Sequence, residues 1–182
     1  NQQIVQRIKG KKALNYQDGI LQQSRSDIER VVRTSRSHVA NTAYMDTYKA
    51  IGFTHVKFVA TLDGRVSKTC ASLDQSMWEI GSPKIRRPPL HPNCRSVLVG
   101  VDADGNLAGK RPFVMDERKV KDIPKDQRDG IIGQLDANTS FKQFFDKAGD
   151  FFQREWLGEK RYKLFKEGNY SIDKFVDPLG RQ

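Results

Sequence analysis

The sequence predicts an α+β fold: one long helix packed on a small antiparallel sheet with a proline-rich loop, followed by a helical C-terminal tail. Three observations carry that expectation. Apolar residues recur at helical spacing from Ile28 to Ala50, β-forming residues alternate from His55 to Leu62, and aromatic residues crowd into glycine-terminated stretches after Thr139.

The helix is predicted over about 27–51, because Ser26-Asp27-Ile28-Glu29 has the form of a capping box and Ile28, Val32, Val39, Ala43 and Ala50 then recur up to Gly52. That row is expected to face the core. The other face carries Arg30, Arg33, Arg36 and Lys49, read either as a solvated side or as a stripe facing DNA or a portal. Before it, residues 1–25 read as an N-terminal arm, with Ile4, Val5, Ile8, Ile20 and Leu21 among its few apolar anchors.

After Gly52, the alternating segment at 55–62 reads as a strand running into the Asp63-Gly64 turn, with shorter partners at Met77–Ile80 and Ser96–Val101. Asp102-Ala103-Asp104-Gly105-Asn106 reads as a tight turn rather than a calcium loop, since the third side-chain ligand and terminal Glu of such a loop are missing. Residues 26–109 are thus the expected core domain. Residues 110–138 mix Lys, Asp, Pro and Gly without period and are expected to be a surface linker. In 139–182, Phe141, Phe144, Phe145, Phe151, Phe152, Trp156, Leu157, Leu164 and Phe165 predict two or three short helices forming an aromatic-rich tail whose stripe is core.

A chain of 182 residues suits one domain or a domain with an extension. No apolar run approaches the ~18–20 residues of a membrane span, and the start lacks a signal-peptide pattern. No membrane partner is expected. The chain begins at Asn1 and ends in Asp177-Pro178-Leu179-Gly180-Arg181-Gln182, so it is expected to be part of a longer polypeptide. The two cysteines make no disulfide framework and are expected as free thiols. The formal charge of +10 is uneven: residues 1–135 hold 23 Lys/Arg against 14 Asp/Glu, and the remainder 9 against 8. The positive field therefore belongs to the first three quarters, where it favours an anionic partner such as DNA or an acidic protein face.

The chemistry-bearing residues lie in two segments, Thr61–Cys70 and Pro88–Ser96. Pro83, Pro88, Pro89 and Pro92 remove amide donors from residues 81–95, so this stretch cannot hold itself by a backbone ladder. Asp63 can accept amides in its turn and pair with a guanidinium, and Arg65 and Arg95 offer planar forks. His91 and Cys94, three residues apart, can face the same way. The expected arrangement is a structural clasp of Asp63, Arg65, Cys70, His91, Cys94 and Arg95.

Zinc binding by Cys70, His91 and Cys94 is the competing reading. It supplies three ligands where a structural site wants four, with no Cys-x-x-Cys pair, so no metal or other cofactor is expected. The deaminase signature is absent as well, since Pro92 and Asn93 follow His91. A Cys nucleophile with a His base lacks a recognisable oxyanion loop, and no enzymatic activity is expected.

In order and spacing, Arg33-Thr34-Ser35-Arg36, Asn41, Tyr48, Gly52, the run from Val59 to Asp74 and the run from Arg87 to Ser96 resemble the phage Mu protein F-like minor head proteins, or head morphogenesis proteins, of tailed bacteriophages. The run Trp156–Gly168 is similar to the tail that follows this domain in many of them. Gln75 departs from the pattern, standing where the family often has Gly. The resemblance implies a virion component near the portal vertex, in one or several copies, made in the host cytoplasm and contacting portal or major capsid protein and in some phages DNA. Lys84, Arg86 and Arg87, beside the clasp, join Arg30, Arg33 and Arg36 as candidate DNA or partner contacts. A sequence-nonspecific DNA-binding module is the alternative.

Overall fold

The computed structural model describes residues 20–116, 118–168 and 170–175; the expected arm over 1–19 lies outside the described residues. Helix α1 spans Ile20–Ala50 and begins before Ser26, so the Ser26–Glu29 pattern sits inside the helix and caps nothing. Its end follows the sequence closely. Gly52 takes φ +91°, its N–H meets the Lys49 carbonyl at 3.3 Å, and the Phe53 N–H meets the Tyr48 carbonyl at 3.0 Å. This Schellman ending brings the Tyr48 and Phe53 rings together edge to face, 5.7 Å apart.

Strands β1 (His55–Val59), β3 (Met77–Glu79) and β4 (Val97–Val101) form an antiparallel sheet in the order β3-β1-β4. His55 stands between Glu79 and Val101. The β1 alternation is real, with Val56 and Phe58 fully buried. The expected single strand at 55–62 is instead split: the chain turns at Ala60 and Thr61, and β2 (Leu62–Asp63) joins a second sheet. There it pairs in parallel with β5 (Lys110–Val114), which pairs antiparallel with β6 (Ile132–Asp136).

Residues 110–138, expected as a surface linker, therefore supply two strands and the buried Ile123 and Arg111. A strand pair lacking strict alternation gives little periodic signal, which is why composition alone misled. Helix α2 (Lys68–Leu73) links β2 to β3, and α3 (Phe141–Lys147), α4 (Asp150–Leu157) and α5 (Glu159–Glu167) close the fold. One buried cluster joins Val56, Phe58, Leu62 and Leu98 to Phe141, Phe144, Phe145, Phe152 and Trp156. The aromatic stripe is core, as expected, except for the exposed Phe151 and the half-exposed Leu164.

The face of α1 that meets the sheet is not the predicted one. Asn41 and Met45 are buried and Tyr48 packs against the core, whereas Ile28, Val31, Val32 and Val39 are each more than half exposed. Two causes are visible. Strand β4 is an edge whose Leu98 N–H needs an acceptor, and the Asn41 side chain provides it at 3.1 Å. At 31 residues the helix is also ~46 Å long, against ~17 Å for a five-residue strand, so its first half outruns the sheet. Gly100 in β4 makes the contact close: a Cβ there would lie 2.7 Å from the Phe53 ring and 2.8 Å from that of Tyr48.

Candidate functional site

The two sequence segments converge where the end of β2, the start of α2 and the approach to β4 meet. Asp63, at the end of β2, is buried; its Oδ1 accepts the Arg65 N–H at 2.9 Å, closing the Asp-Gly-Arg turn. Arg95 reaches it from 32 residues away with both terminal nitrogens, Nη2 donating to Oδ1 at 2.8 Å and Nη1 donating to Oδ2. The Arg65 side chain is a weaker partner at 3.9 Å and stays largely in solvent. A bidentate pair of this kind fixes direction as well as distance, so it orients the end of the proline loop.

Next to that grip, Cys70, His91 and Cys94 come together. The Cys70 Sγ lies 3.7 Å from the Cys94 Sγ and 3.2 Å from the His91 Nε2, and both thiols are buried. Ser67 is the N-cap of α2: its Oγ accepts the Cys70 N–H at 3.2 Å and lies 2.9 Å from the His91 Nε2. The other ring nitrogen, Nδ1, is 2.9 Å from the Pro92 carbonyl. A carbonyl only accepts, so Nδ1 carries the proton and Nε2 presents a lone pair to the Ser67 hydroxyl, which leaves the Cys70 proton for the Cys94 sulfur. The hydrogen bond from Cys70 holds the Cys94 thiol well below its usual range, helped by backbone groups of Leu90 and Ser96, while the same bond and burial push Cys70 up.

The loop is tied elsewhere too. Asn93 takes φ +58° and gives its N–H to Thr34 Oγ1 on α1 at 3.1 Å. Trp156 on α4 donates Nε1–H to the Val66 carbonyl at 3.1 Å, so the C-terminal helices support the clasp.

The six expected clasp residues thus lie together, as two adjoining groups. The candidate contact residues do not form one patch of the same character. Arg30 and Arg33 on α1 pair with Asp27 at 2.5 Å and Glu29 at 2.8 Å, and Arg36 is exposed on the same helix. Lys84 and Arg87 are exposed on the loop, and Arg86 is half-buried.

Sequence reasoning missed a second, deeper pair. Arg111 and Asp74 meet at 3.0 Å through both nitrogens, with side chains 7% and 1% exposed. Asp74 also accepts the N–H of Ala60 at 2.8 Å and of Phe141 at 2.7 Å, and Arg111 donates to the carbonyls of Ala60 and Thr139. The Ser140–Gln143 capping box beside it is a local signal that the sequence carries and that sequence reasoning also missed.

The sequence profile of the family described as Phage Mu protein F like protein matches residues 1–99, while no curated protein and no solved structure matches. The matched stretch holds α1, the whole clasp and the first sheet as far as Val99 in β4. With its motifs in order and more than half of its length matched, the chain belongs to the Phage Mu protein F like family, the phage head morphogenesis family that its sequence resembles.

Proposed function

We propose that this chain is a structural minor head protein of a tailed bacteriophage, acting at the portal vertex or capsid interior during head assembly and DNA packaging or ejection. The family match over 1–99 carries this reading. The physical character of the fold agrees with a scaffold: apart from the exposed Arg65 guanidinium, the polar groups of the clasp are engaged within the chain. The exposed apolar row Ile28, Val31, Val32 and Val39 on α1 is surface of the kind that contact with a portal or major capsid protein would cover. Among the described residues no helix is long and apolar enough to cross a membrane.

A DNA-binding module draws less support, because Arg30, Arg33, Arg95 and Arg111 are engaged by acids of the same chain. The discriminating experiment is co-sedimentation of the purified chain with portal or capsid protein of its own phage. Co-sedimentation supports the reading; binding to duplex DNA and to neither protein contradicts it.

A further inference from the structure

We propose that Cys70, His91 and Cys94 bind one zinc ion, with an oxygen at the fourth corner supplied by the Ser67 hydroxyl or a water held by it. Sequence spacing argues against a metal, since the cysteines stand 24 residues apart and form no Cys-x-x-Cys pair. The folded arrangement removes that objection.

A tetrahedral zinc with Zn–S of ~2.3 Å and Zn–N of ~2.0–2.1 Å sets its sulfurs ~3.7–3.8 Å apart and each sulfur ~3.5 Å from the nitrogen. The Cys70–Cys94 separation is 3.7 Å and the Cys70–His91 separation 3.2 Å, and the three ligand atoms all lie within 4.8 Å of one another. Two of the three separations already suit the ion, and receiving it requires the His91 nitrogen and the Cys94 sulfur, held within 4.8 Å, to close toward ~3.5 Å.

Two further features point the same way. The His91 Nδ1–H is held by the Pro92 carbonyl, which fixes the tautomer with a lone pair on Nε2, as the outer partner of a metal-ligating imidazole does. Ser67 Oγ, 2.9 Å from that nitrogen, places an oxygen beside the three ligands. The ion would also meet a structural need: the 81–95 stretch, poor in amide donors, would be tied to the start of α2 by bonds that do not depend on a backbone ladder. Nothing in this role is catalytic; the site joins two segments of the chain.

The test uses the untagged full chain, purified from cytoplasm without chelator, with zinc measured by elemental mass spectrometry against protein concentration. One zinc per chain is expected. Cobalt exchanged into the same protein should give the visible bands of a tetrahedral, thiolate-bound ion, and Cys94→Ser should lower retained zinc by at least ~10-fold. If that variant fails to fold, the cobalt spectrum of the unaltered chain decides alone. Substoichiometric zinc that reconstitution does not raise, a Cys70–Cys94 disulfide in the freshly purified protein, or zinc retained equally by a folded Cys94→Ser variant would each overturn the proposal.

Discussion

Arg95 holds Asp63 with both terminal nitrogens, and the residue before it, Cys94, lies 3.7 Å from Cys70. One short run of chain therefore carries two attachments of the proline loop, one to the end of β2 and one to the start of α2. Because Cys94 and Arg95 are adjacent, loosening either attachment is expected to loosen the other.

Asp63→Ala removes the carboxylate that Arg95 and the Arg65 amide share. Since Arg95 is partly solvated, the expected loss is about 1–3 kcal/mol, read from urea unfolding. An unchanged unfolding midpoint would show that the pair does not hold the loop.

Asp74→Ala should cost more, about 3–5 kcal/mol, because it strands a nearly fully buried guanidinium and two backbone donors. The ordering matters more than either value. If Asp74→Ala proves milder than Asp63→Ala, the network through Arg111 is not the deeper tie between the two sheets.

The two faces of α1 give opposite expectations. Met45→Ala should destabilise the chain by about 2–3 kcal/mol, whereas Val39→Ala should lie within about 0.5 kcal/mol of the parent. Thermal unfolding of both variants checks this, and equal effects would mean that the exposed row is covered by the chain itself.

Charge reversal at Lys84, Arg86 and Arg87 separates architecture from DNA contact. If the positive excess of residues 1–135 serves the genome, duplex DNA binds weakly, without sequence preference and with steep salt dependence, and the reversal flattens that dependence. The structural reading expects little binding even at low salt, measured by fluorescence anisotropy. Salt-sensitive binding lost in the triple variant would favour the nucleic-acid alternative.

Much of this was legible in the sequence because the signals were local. The β1 alternation, the Gly52 stop and the aromatic helices each follow from the preferences of neighbouring residues, and the structure has them. The inward face of α1 was illegible because it is set by the β4 edge, whose need for Asn41 overrides an apolar row that outruns the sheet. The Arg111–Asp74 pair spans 37 residues and has no local signature. Gln75 shows a mixed case: it takes φ +67°, the region that favours glycine, while its side-chain amide reaches the Ala137 carbonyl at 3.2 Å. Its side chain thus ties the turn to the segment after β6. For the clasp, the sequence named the residues, but only the fold shows that they divide into an ion pair and a thiol–imidazole cluster.

The most direct test of the central claim is quantitative mass spectrometry of purified, DNA-filled particles of the phage that encodes this chain. A structural head protein is expected in those particles at a fixed number of copies per portal ring, resistant to high-salt washing. Its presence in the infected-cell lysate together with its absence from washed particles would contradict the account.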